Sequence, residues 1–150
     1  MDLRLALILL ALTPVAAVGG GESDTPEDAV RALHTAYLQK SADAAVAALD
    51  FLEGGRQLLQ ETNPALADDP ETIRQTAEVL EKSFRNDLRT KGFPSSVNQK
   101  CSFAARAQLA PGLIKLTERC EVAGGGNSVQ DLIVMHREHD WRVVYESGVF

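Results

Sequence analysis

The sequence predicts an α+β domain in which N-terminal helices pack on one curved antiparallel sheet of about four strands. Three observations carry this. Apolar residues recur at helical spacing through Val30, Leu33 and Tyr37, and again through Ile73, Ala77, Leu80, Phe84 and Leu88. The pattern changes at Phe93-Pro94 and favours strands from Val97 onward. Turn signals at Ala110-Pro111-Gly112 and Glu138-His139-Asp140 then divide that stretch into a meander.

The chain opens with positive charge at Arg4 and the amino terminus, followed by an apolar run, Leu5 to Leu12. Pro14 breaks the run, and Val15-Ala16-Ala17 offers small residues to a peptidase. This order predicts that residues 1–18 are a signal peptide, cleaved after Ala17 or, as the second choice, after Gly19. A retained anchor is the alternative, but Leu5 to Val18 falls short of the roughly 20 residues a span needs. Residues 19–24 read as a flexible lead-in, and 25–150 as a single domain. The expected location is the periplasm or the extracellular space, with no integral membrane domain after cleavage.

Thr25-Pro26-Glu27-Asp28 combines a cap, a first-turn proline and acids at the positive end of a helix. The helix it opens is expected to run to about Gln39. Ser41-Ala42-Asp43 starts a short helix ending near Leu49. The chain is expected to loosen at Gly54-Gly55 and to regain one or two turns over Arg56 to Glu61. Asn63-Pro64 and Asp68-Asp69-Pro70 are breakers, and Pro70 or Glu71 opens the longest helix, which ends near Lys91-Gly92. On the first strand, Cys101, Phe103, Ala105, Ala107 and Leu109 are expected to share one face, with Ser102, Arg106 and Gln108 on the other. Leu113 to Val122, Val129 to Arg137 and Trp141 to Glu146 follow as strands.

The formal net charge is −6, and the leader's Asp2 and Arg4 cancel, so cleavage leaves that value unchanged. Acids and bases are mixed, with no basic block. Phosphate binding needs concentrated positive charge, so nucleic acid is excluded as an expected partner, and anionic lipid with it.

An opening segment TPEDAVRALHTAYLQKSADAAVAAL and a final hairpin ending in HDWRVV make the chain resemble the NTF2-like superfamily of SnoaL-like and ketosteroid isomerase-like domains. That superfamily includes limonene epoxide hydrolases, polyketide cyclases and small exported bacterial proteins of unassigned role. The resemblance implies a cone, the cystatin-like fold, whose helices and curved sheet enclose a pocket. By position it offers Tyr37 as the pocket tyrosine, Asp50 as the catalytic aspartate and Asp131 as the protonated acid of an isomerase. It settles no activity, because one fold hosts many.

The two cysteines, Cys101 and Cys120, fall on the same face of adjacent strands. In an oxidising compartment they are expected to form a disulfide. Of the three histidines, His34 borders the buried helical stripe beside Tyr37, while His136 and His139 straddle the last turn. None matches a zinc signature, so no metal site is expected. Asp131 alternates with Val129, Ile133 and Met135, which makes it either a buried acid of raised pKa or a solvated residue at the strand entrance. Glu118, between Leu116 and Cys120 on one face, raises the same question.

No Gly-x-Ser-x-Gly elbow, HExxH helix or Walker loop occurs, and no cofactor is expected. The reading reached from the sequence is an exported, non-catalytic module for a small apolar ligand or an envelope protein partner. Tyr37, Leu80, Phe84, Phe103, Asp131, Ile133 and Trp141 are its candidate pocket residues. The alternatives are an isomerase, cyclase or hydrolase using a pocket carboxylate, and a homodimer formed through the open sheet face.

Overall fold

A computed structural model describes residues 23–95 and 100–147. The expected signal peptide, most of the lead-in, the start of the first strand at Val97 and residues 148–150 lie outside the described residues. Among the described residues no helix is long and apolar enough to cross a membrane.

The element order is α1 (Pro26–Leu38), α2 (Ala42–Ala48), β1 (Leu49–Asp50), α3 (Phe51–Thr62), a single 3-10 turn, α4 (Pro70–Lys91), β2 (Cys101–Ala110), β3 (Leu113–Glu121), β4 (Asn127–Arg137) and β5 (Asp140–Val144). Each α-helix starts on a side-chain cap that accepts from a backbone N–H three residues on: Thr25, Ser41, Asp50 and Asp69. These oxygens satisfy amides that the helix itself leaves free. At α1 the cap is reciprocal, because Thr25 Oγ1 also donates to Asp28 Oδ2 at 2.7 Å.

The strands form one five-stranded sheet in the order β1-β5-β4-β3-β2. It is mixed, since β1 pairs parallel to β5 while the other pairs are antiparallel. This corrects the expected architecture in three ways. Among the described residues there are five strands rather than about four, the sheet is not wholly antiparallel, and it does not curl into a cone. The edge strands β1 and β2 lie at opposite ends of an open sheet. The local reason is the length of β1. Asp50 ends it after two residues, because its carboxylate immediately caps α3.

The same region holds a second correction. Gly54-Gly55 do not loosen the chain but lie buried inside a continuous α3. A Cβ on Gly54 would collide with the carbonyl oxygen of Tyr145, and one on Gly55 would meet the α4 backbone at Ala77 and Ile73 at 3.2 Å. Helix propensity disfavours glycine here. Close packing requires it, so α3 seats against both α4 and the segment after β5.

Register shifts also change β2. Cys101 and Phe103 pair with Cys120 and Glu118, as a regular strand would have them, but a bulge between Phe103 and Ala105 moves the register by one. Side chains beyond a one-residue slip change faces. Arg106 and Gln108 therefore stand opposite the buried Leu116 and Ile114, and Leu109 is exposed, reversing the faces read from simple alternation.

The core lies between α1 and one face of the sheet. Val30, Leu33 and Tyr37 face Ile114, Leu116, Val134 and Val143. The long helix α4 packs chiefly on α3 rather than under the sheet. Its Phe84 reaches Phe51 and Tyr145, with ring centroids 5.8 and 5.6 Å away.

Candidate functional site

The site arises where β5 leaves β4. The two strands pair only from Val134 to Arg137 on β4. Gln130 to Ile133 lie beyond that ladder, and after Val144 the chain departs through Tyr145 and Glu146. Leu33, His34 and Tyr37 of α1 close the gap from the helix side. The result is a cleft of about 150 Å³, largely apolar in lining, with His34, Tyr37, Gln130, Asp131 and Glu146 among its polar side chains. Residues of both sheet faces reach it because it opens at a gap in the sheet rather than on one face.

Behind the cleft sits Glu118. It projects from β3 on the helix-covered face between Leu116 and Cys120, and it is 1% exposed. Its Oε2 accepts a hydrogen bond from Gln130 Nε2 at 2.6 Å. The same oxygen lies 3.6 Å from His34 Nε2, close but beyond hydrogen-bond length. A buried carboxylate needs such partners, since desolvation otherwise disfavours its charge. The imidazole, 24% exposed, joins this carboxylate to the cleft. Sequence periodicity put Glu118 on the right face and His34 on the stripe border, but no local signal brings the two together.

Cys101 and Cys120 form a disulfide across directly paired positions, with Cα atoms 4.0 Å apart. That is shorter than the 4.4 Å at which such separations usually begin, and the bond closes nonetheless. Cys101 also lies beside the acid–histidine pair. One donor atom each from His34, Cys101 and Glu118 lie within 4.8 Å of one another. This grouping was not anticipated from sequence, where no histidine matched a zinc spacing.

Other sequence candidates are placed as follows. Tyr37 is buried against the cleft, and burial, then Tyr145, pushes its phenol well above the ordinary value. Asp131 takes the solvated position. It accepts from Thr117 Oγ1 at 2.6 Å and pairs with Lys115 at 3.3 Å on the face opposite Glu118. Those bonds hold its pKa below the usual carboxylate value, so the raised-pKa acid considered at this position is corrected. Ile133 lines the cleft. Leu80 and Phe84 belong to the core, Phe103 lies under the Arg31 guanidinium at 5.4 Å, and Trp141 packs on His136 with ring centroids 4.9 Å apart and planes tilted by 55°.

Asp50 lies elsewhere, in a second, more open depression of about 480 Å³ bordered by α2, α4 and the β4–β5 turn. Its Oδ1 accepts from the Glu53 amide at 2.8 Å, and its Oδ2 from Arg137 Nε at 2.6 Å. Both carboxylate oxygens thus serve the fold. Glu53, a buried acid that sequence reasoning passed over, is held by Arg56 at 2.6 Å and Gln57 at 3.1 Å.

No family model matches the sequence, and no curated protein matches it. Among solved structures the chain is similar to a Campylobacter jejuni protein described as an NTF2-like transpeptidase, at 10% identity and a TM-score of 0.43. That likeness covers 81% of this chain and 99% of the other. At that score it carries no argument about what either molecule does.

Proposed function

We propose that the cleft takes up a small, largely apolar molecule and acts on it by proton transfer, with His34 as the exchanging group and Glu118 holding the imidazole. The observation that carries this is the Glu118 carboxylate, almost wholly buried, 3.6 Å from a histidine that reaches the cleft. General acid–base work needs a titrating group that can reach the substrate, and a second group that orients it. Tyr37, kept protonated by burial, supplies a hydrogen-bond donor for a substrate oxygen. Isomerisation, cyclisation and hydrolysis of a small carbonyl compound all fall within this class. Cleft volumes for drug-sized ligands are about 300–1,000 Å³, so the ligand is smaller than that or only partly enclosed.

With this reading goes an NTF2-like assignment for the domain, here with an open sheet, supported by the order of helices before a meander. Export belongs to the same proposal and is supported by the Cys101–Cys120 bond, a state favoured outside reducing compartments. The covalent mass of the protein recovered from the cells that make it tests the export.

The test of activity is exchange in deuterated water, using small cyclic enones as probes. Wild type is expected to speed deuterium uptake next to the carbonyl, and His34→Gln to abolish the acceleration. Chemical-shift changes at Leu33, Tyr37 and Ile133 without exchange favour the second reading, a binding module, to which the aliphatic lining is equally suited. Probes that neither bind nor exchange overturn both.

A further inference from the structure

We propose that reduction of the Cys101–Cys120 bond converts the acid–histidine pair into a zinc site, with Cys101, His34 and Glu118 as its protein ligands. The three donor atoms already lie within 4.8 Å of one another. They are a sulfur, an imidazole nitrogen and a carboxylate oxygen, the donor types zinc accepts. Around a tetrahedral zinc, donors at about 2.0–2.3 Å from the metal stand roughly 3.3–3.8 Å apart, so the cluster needs to close by about 1 Å. Rotation of the His34 and Cys101 side chains is enough for a movement of that size. The three come from three elements, α1, β2 and β3, so the fold assembles them and no sequence spacing reveals them.

In the oxidised chain the Cys101 sulfur is bonded to Cys120 and has no thiolate to offer. A dithiol reductant supplies two electrons and two protons, leaves as its own disulfide, and gives two protein thiols. Zinc then displaces the Cys101 thiol proton to the solvent as the metal–sulfur bond forms. The Gln130 amide already holds Glu118 Oε2 at 2.6 Å, and this bond fixes the carboxylate as outer partners of metal ligands do. Three protein ligands leave a fourth position open towards Cys120 or water. The oxidised form is thus the apolar cleft with its acid–histidine pair, and the reduced form is a metal centre in the same place.

The site shares residues with the proposed catalytic pair but does not depend on proton transfer. Zinc uptake without substrate exchange, or exchange without zinc uptake, separates the two proposals.

The experiment is a zinc titration of the full chain against a chromophoric chelator, before and after treatment with a phosphine, which takes oxygen from water as it reduces the disulfide. Circular dichroism is recorded on both forms. The reduced chain is expected to take up a single zinc and the oxidised chain none. Cys120→Ser is expected to bind without reductant, and Cys101→Ser not to bind. His34→Ala, which keeps both cysteines, is expected to weaken zinc binding to the reduced chain by more than about tenfold, the range already reached by losing an outer partner of a ligand. Equal uptake by the oxidised and reduced chains overturns the proposal. So does unchanged affinity in His34→Ala, uptake by Cys101→Ser matching that of Cys120→Ser, or loss of the sheet signal before zinc binds.

Discussion

Arg137 Nε donates to Asp50 Oδ2 at 2.6 Å across a sequence separation of 87, tying the last residue of β4 to the residue that ends β1 and caps α3. Asp50 is 4% exposed, so its charge is compensated almost entirely by that guanidinium and by the Glu53 amide. Asp50→Ala is expected to lower stability by about 3 kcal/mol. This combines loss of a cap with a half-buried arginine left with only the Glu53 carboxylate, 3.9 Å away. Asp50→Asn keeps the cap oxygen and is expected to cost about half as much. Urea unfolding of the two variants measures the difference, and equal losses would mean that the cap contributes nothing beyond the charge.

Gly54 is expected to be the least replaceable glycine among the described residues. Gly54→Ala pushes a methyl into the Tyr145 carbonyl and must separate α3 from the segment after β5, at a cost of about 3 kcal/mol. Gly92→Ala has open space around it but keeps a φ of +87° with an extended ψ, so only the backbone conformation opposes it, at about 2 kcal/mol. A reversed order in thermal denaturation rejects the packing account of α3.

Alkali is expected to unfold the protein through its two tyrosines. Burial raises the pKa of both Tyr37 and Tyr145 above the ordinary value of 10.0. Above about pH 10 the unfolded chain releases these protons while the folded chain holds them, so stability falls as pH rises. Tyrosinate absorbance is therefore expected to appear together with loss of the helical signal, not before it. Tyr37→Phe is expected to move that transition to higher pH. Tyrosinate formed in the intact fold at an ordinary pKa contradicts the burial of Tyr37.

Reduction is expected to lower stability by about 3 kcal/mol, since the bond closes a loop across a sequence separation of 19. The hairpin of β2 and β3 keeps its backbone ladder, so the loss appears in the denaturant midpoint and leaves the secondary structure of the native state in place. A reduced protein with the oxidised midpoint shows that the hairpin is already closed in the unfolded chain.

By itself the sequence determined the starts of α1, α2 and α4, because a cap such as Thr25 or Asp69 acts on amides three residues away, whereas α3, expected only from Arg56, starts on Asp50. It also determined the helix-then-meander order and the same-face placement of Cys101 and Cys120, while two register shifts in β2 bring that pair directly opposite. Tertiary contacts decided the rest. Gly54-Gly55 read as a loosening because propensity ignores the Tyr145 carbonyl and the α4 backbone that demand small residues there. The faces of β2 reversed at a bulge that alternation cannot show, and the expected cone became an open sheet because β1 is only two residues long. Asp131 and Glu118 read alike as acids on apolar strands. Only packing separated them, since α1 covers one face of the sheet and brings His34 to Glu118, while Asp131 on the other face meets water, Thr117 and Lys115.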